Sequence, residues 1–193
     1  MPASIKNKIS LLERIYERDP ATKAFLIKIS IGSYHDIFNN LDPAPFVKRD
    51  LDSDLMTYME ESSVDIPLKY PLILQFNAPA DIRDTEKEQR VITGIKTYFQ
   101  FMIRSYKREI NQVYQRSITY ILSAFALLLL SFYLNNWSSK NILYETLVEG
   151  LNIGGWVFLW EAIVLFVFKN RDTRIQCKRY ERLENSPIHF VYS

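Results

Sequence analysis

Glu161 is the one ionisable side chain inside two long apolar stretches of this chain. A carboxyl group set in hydrocarbon is costly, so it is either put to use or satisfied by a partner. It can hold an ion or pass a proton, or it can be a neutral carboxyl bonded to a neighbouring helix. Glu161 precedes Lys169 by eight residues, about 12 Å along a helix. On depth alone that is level with Ser123 and Thr119 in the first apolar stretch. A single acid is not a relay. The expectation is therefore a hydrogen bond across the two helices through Ser123 or Thr119, with an ion or proton site as the alternative. Gly150 and Gly154 form G-x-x-x-G with Gly155 beside them. Small residues let helices approach closely, against the first apolar helix or between subunits.

Other residue groups carry less chemistry. Asp50, Asp52 and Asp54, with Glu61 in the twelfth place, have the ligand spacing of a calcium loop. Leu55 sits where the sharp turn of such a loop wants glycine, and Pro43-Ala44-Pro45 opposes an entering helix. The expected role is an acidic helix start, facing the positive end of the helix dipole. His35 beside Asp36 reads as a surface histidine, because no serine or cysteine nucleophile motif accompanies it. Gly32 and Gly94 are isolated, so no phosphate-binding glycine loop is expected. A single cysteine, Cys177, excludes a disulfide within the chain and a cysteine-based zinc site. Cys177 lies in a basic tail near the second apolar stretch and reads as an unmodified thiol, with lipidation the alternative. No catalytic, cofactor-binding or metal-binding residue is assigned, and the chain is expected not to be an enzyme.

These residues must be positioned by a chain of 193 residues, enough for one small domain and an anchor. Lys and Arg number 24 against 22 Asp and Glu, a net charge of +2 that does not argue for nucleic acid. Residues 117–134 carry no charge and residues 150–168 only Glu161. Each stretch is long enough to be read as a membrane span. Five basic residues (Lys96, Arg104, Lys107, Arg108, Arg116) precede the first span and six (Lys169, Arg171, Arg174, Lys178, Arg179, Arg182) follow the second. Only Lys140 lies between them. That asymmetry predicts both termini in the cytoplasm and an external loop over residues 135–149. The charged start of the chain lacks the apolar core of a signal peptide, so the first span is expected to stay.

Ahead of the spans, residues 1–84 read as a cytoplasmic α/β domain. A helical stripe (Ile5, Ile9, Leu12, Ile15, Tyr16) covers residues 4–18. Strands are expected over 23–33 and 70–77, and Asp52 caps a helix over 53–62. The order strand–helix–strand favours a parallel pair. Thr85 and Glu88 fit a capping box. They open a helix whose stripe (Ile92, Ile95, Phe99, Met102, Tyr106, Ile110, Val113) runs through a connecting segment, 85–116, into the first span. Such a rod would couple the domain to the membrane. In the tail, 169–193, Ile188–Tyr192 reads as a strand returning to the sheet, since two strands alone are marginal. The predicted fold is an α+β membrane protein. It has a small βαβ-type domain, a long helix entering a two-helix transmembrane hairpin, and a short third strand at the C-terminus.

Three stretches, LDPAPFVKRDLDSDL (41–55), EGLNIGGWVFLWEAI (149–163) and KRYERLENSPIHFVY (178–192), together resemble an uncharacterised family of small bacterial proteins with two membrane spans. The resemblance implies the architecture and a bacterial inner-membrane location, and no reaction. The functional expectation is a non-enzymatic membrane-anchored interaction or scaffold module. Its partners would be the lipid bilayer, a cytoplasmic protein and further copies of itself. The alternative is an oligomeric pore or transporter subunit using Glu161, since two spans cannot enclose a pore alone.

Overall fold

Alternating apolar residues make the strands. The computed structural model describes residues 12–136 and 142–193, apart from the side chains at 168–170. In it β1 is Phe25–Ser30, β2 is Leu72–Ala78 and β3 is Ile188–Tyr192. All three are parallel in the order β1-β2-β3, with Ile29 opposite Phe76 and Phe76 opposite Phe190. The tail strand thus returns to the sheet as expected, over the expected residues. Helix α1, Ser53–Asp65, connects β1 to β2. Asp52 caps it, accepting from the amides of Asp54 (3.0 Å) and Leu55 (3.1 Å).

Helix α2 runs without interruption from Thr85 to Asn135. Its cap differs from the expected Thr85–Glu88 box. Asp84 accepts from the amides of Glu86 and Lys87, each at 3.1 Å, because a short carboxylate one residue earlier reaches both free donors. Helix α3, Ile142–Val164, begins eight residues before the apolar run that predicted it. A π-helical stretch, Leu165–Lys169, follows it, then helix α4, Asn170–Asn185. At the start of the chain, residues 12–15 are helical, while residues 4–11 of the expected helix lie outside the described residues. Leu12 is buried as expected, but Ile15 is 63% exposed. The helical turn ends there and the chain goes on to pair along β1, with Arg18 bridging Phe25 and the Leu26 amide donating to the Glu17 carbonyl.

Two compact units result, one built from residues up to Arg104 together with Cys177–Ser193, the other from Ser105–Gln176. In the first, Phe25, Ile27, Ile29, Leu72, Leu74, Phe76 and Ala78 bury one face of the sheet. Met56 and Met59 of α1, Val91, Ile95 and Phe99 of α2, and Tyr180 and Leu183 of α4 complete the core. The buried line on α2 is 91, 95, 99 and 103, one position off the expected one at Ile92 and Met102. Gly94 is required here. A Cβ on it would stand 2.3 Å from the Phe46 carbonyl oxygen, so the 39–50 loop lies directly on the helix backbone.

The second unit is a helix pair. Ser117, Ala124 and Ser131 are buried on α2, and Val148, Gly155 and Ala162 on α3, every seventh residue on each helix. The Ser131 hydroxyl donates to the Val148 carbonyl at 3.0 Å. A Cβ on Gly155 would lie 3.2 Å from the Ala124 carbonyl oxygen and 2.6 Å from Leu128 Cγ. Carried on at that register, Ser117 stands opposite Ala162. Tyr144 fastens the connected end by donating to the Leu134 carbonyl at 2.5 Å. α2 and α3 with α4 are both long and apolar enough to cross a membrane. Only 17% and 12% of their most apolar stretches is buried, whereas a core helix of a soluble protein is mostly buried.

Candidate functional site

With about 100° between successive residues, α3 has three faces. One is the seam, Val148, Gly155 and Ala162, turned to α2. A second carries Ile153, Trp156, Trp160 and Ile163, all large and exposed. The third holds Gly150, Gly154, Val157 and Glu161, which fall within an arc of about 60°. Gly150 has nothing within 4 Å of the place a Cβ would take, and Gly154 only Leu127 Cδ1 at 3.7 Å. Gly155 alone of the three glycines is the close-packing residue toward the first apolar helix.

Glu161 is exposed on this third face and makes no hydrogen bond or ion pair among the described residues. The expected bond to Ser123 or Thr119 does not form. The Thr119 hydroxyl donates instead to the Gln115 carbonyl of its own helix at 3.0 Å. Ser123 is half-buried and makes no side-chain hydrogen bond among the described residues. With Ser131 beside Val148, Glu161 comes level with residue 118, more than a turn from Ser123 but next to Thr119, so depth excludes only Ser123. It is also turned away from the seam.

Among the described residues of the first unit, the apolar core covers one face of the sheet. The other face carries Lys28, Gln75 and His189 in one row across the three strands, then Ser30, Asn77 and Val191 in the next. These side chains are half-buried or exposed, and Val191 is 44% exposed. Lys28 is joined to Glu17 at 2.6 Å, and the Gln75 amide donates to Asn77 Oδ1 at 2.8 Å.

The carboxyl ends of the strands, where open α/β sheets usually take ligands, are filled by the chain itself. Asp36 accepts from the amides of Gly32 (2.8 Å) and Ser33 (2.9 Å) and from the Ser33 hydroxyl. Burial alone would raise its pKa, but the Ser33 and Gly32 hydrogen bonds outweigh it and hold the carboxyl below its ordinary value. Tyr192 donates to Glu88 Oε1 at 2.5 Å, shares a hydrogen bond with Tyr34 at 2.7 Å, and lies under the Arg83 guanidinium. Burial first, then the Glu88 carboxylate, raise its phenol pKa far above the ordinary range.

The remaining sequence candidates are dispersed. Asp52 is the α1 cap, as expected of an acidic helix start, while Asp50, Asp54 and Glu61 are exposed. Among the described residues no group of His, Cys, Asp and Glu is gathered for a metal ion. His35 is exposed and stands edge-on to Phe46 at 4.9 Å. Cys177 is buried. A cleft of about 240 Å³ beside Gly94 is lined by Lys48, Arg49, Asp50, Thr97, Tyr98 and Phe101.

Two clusters escaped the sequence reading. Arg182 on α4 enters the C-terminal end of α1, and Tyr180 donates to Glu60 of the same helix. Each joins residues well over a hundred positions apart, and no local spacing signals it. The seven-residue spacing of Ser117, Ala124 and Ser131 was visible and would have named the α2 seam. In comparisons with known proteins, no family model, no curated protein and no solved structure matches the chain.

Proposed function

We propose that this chain is a membrane-anchored interaction module. α2 and α3 hold it in a bacterial inner membrane with both termini in the cytoplasm, and the uncovered sheet face receives a cytoplasmic protein partner. The observation that carries this reading is the sheet itself. Parallel sheets are as a rule covered on both faces, yet Lys28, Ser30, Gln75, Asn77, His189 and Val191 form a second face that is half-buried or exposed. Its polar side chains suit a hydrogen-bonded protein contact and give a reversible partner something to read. The basic residues flanking the apolar stretches support the orientation.

The test places a photo-crosslinking amino acid at Gln75, in the middle strand of that face, and at Glu61 on α1 as a control. The expected result is a discrete adduct in intact cells from Gln75 and none from Glu61. Equal or absent adducts from both positions would refute the partner surface. Cysteine labelling at Asn136 and Ser193, both exposed, checks the orientation. External reagent should reach Asn136→Cys and not Ser193→Cys, in a chain with Cys177→Ala.

A further inference from the structure

We infer that two copies of the chain associate in parallel, about a two-fold axis, through the face of α3 that carries Gly150, Gly154, Val157 and Glu161. The inference rests on the membrane reading above. The two exposed faces of α3 have opposite chemistry. Ile153, Trp156, Trp160 and Ile163 offer bulky apolar surface suited to acyl chains. The Gly150 face offers bare backbone, with nothing within 4 Å of the missing side chain, and a carboxyl group with no partner among the described residues. Hydrocarbon satisfies neither. Acids within spans almost always face protein or water and pair with something, and small residues on spans mark where another helix comes close.

The occupant follows from orientation. Every copy sits the same way up in the bilayer, so Glu161 of one copy meets Glu161 of its neighbour at one depth. Two carboxyl groups there bond to each other, and each supplies what the other lacks. Gly150 and Gly154, about two to three turns along the helix from Glu161, let the two backbones approach over the same face. The contact is self-complementary and closes as a dimer. The seam toward α2 is untouched, because Gly155 and Ala162 lie on a different side of α3.

The experiment uses the full chain in native membranes, with Cys177→Ala as background. Val157→Cys is expected to give a disulfide-linked dimer on oxidation, and Trp160→Cys is not. Adding Gly150→Leu or Glu161→Leu to Val157→Cys should cut the dimer yield about tenfold, the scale of an interhelical hydrogen bond or a lost close approach. Glu161→Gln, whose amide also pairs with itself, should restore it. Gly150→Leu is a clean probe, since the space it enters is open in the single chain. Equal cross-linking at Trp160 and Val157 would overturn the inference. So would the absence of a Val157 dimer from protein that resists alkaline extraction, or a dimer indifferent to Glu161→Leu. Release of the chain by alkaline extraction would instead overturn the membrane reading, and the inference with it.

Discussion

Replacing Arg182 by Met keeps the stem of the side chain and removes all its donors. In the folded chain Nη1 donates to the carbonyls of Ile66 (3.1 Å), Pro67 (2.9 Å) and Tyr70 (3.3 Å), while Nη2 donates to the Ser63 carbonyl (2.6 Å) and hydroxyl (2.9 Å). These are acceptors at and beyond the C-terminal end of α1, a helix whose last turn contains no base of its own. A cation there also meets the negative end of the helix dipole. Ser63 and Ile66 are each 1% exposed, so their carbonyls would be stranded without Arg182. Each stranded acceptor costs about 1–3 kcal/mol. Against this, the guanidinium is itself poorly solvated. Burial, with Arg179 nearby, lowers its pKa to about 10, and Nε has no partner. Removing the charge gives back part of the loss, reduced because the group is about half exposed and solvent screens it. The net cost is about 2–3 kcal/mol, a roughly 30- to 150-fold shift toward the open form of the first unit. Cys177, the only thiol and 5% exposed in the same unit, reports that opening. Its labelling rate in the full chain in detergent, under mild urea, should rise by that factor in Arg182→Met. Arg182→Lys, with one ammonium for five bonds, should fall between. A change of less than about threefold in Arg182→Met would refute the clamp.

Gly155→Ala should destabilise the helix pair by about 1–3 kcal/mol, because its Cβ would overlap Leu128, while Gly150→Ala should leave stability within about 1 kcal/mol; thermal unfolding followed by tryptophan fluorescence separates them. Asp42 is held below its ordinary pKa of 3.8 by the Ala44 amide first and the Asp50 amide second. It therefore contributes stability above pH 3.8 that is lost as the pH falls through the lower folded value, and Asp42→Asn should flatten the acid limb of a pH–stability profile. Lys23 has a φ of 58° in the turn before β1. Lys23→Gly should raise stability by about 0.5–1 kcal/mol in denaturant titration, as relief of left-handed strain exceeds the added entropy of the unfolded chain.

Legibility in the sequence divides by the kind of contrast the residues offer. Phe25–Ser30 and Leu72–Ala78 alternate between buried and half-buried positions, and that alternation was visible because polar residues interrupt the apolar ones. The third strand was legible for a reason beyond its own pattern, since two strands alone are marginal and Ile188–Tyr192, a mainly apolar segment after Pro187, would be a liability if left exposed. Glu88 shows where local reading stops. Its spacing from Thr85 fits a capping box, but Tyr192, 104 residues away, takes its carboxylate, and Asp84 supplies the cap. Arg182 is a second case, because the carbonyls it binds are gathered only once α1 has ended and α4 has docked.

The apolar helices invert the usual rule. Along β1 and β2, polarity tells the buried face from the other one. Along Ser117–Leu134 and Gly150–Phe168 nearly every residue is apolar, so polarity has no contrast to give. Side-chain size takes over that role. Ser117, Ala124 and Ser131 meet Val148, Gly155 and Ala162 because these are the positions where two helix backbones can come close. Depth counted from Lys169 puts Glu161 level with Ser123 and Thr119; the Ser131–Val148 register keeps it near the level of Thr119, and the size pattern turns it away from the seam. The same size rule applied once more leaves a second run of small residues, Gly150 and Gly154, on the face that holds the unpartnered acid. Among the described residues nothing packs where a Gly150 side chain would stand, and the proposed second helix of the same sequence would account for both the glycines and Glu161.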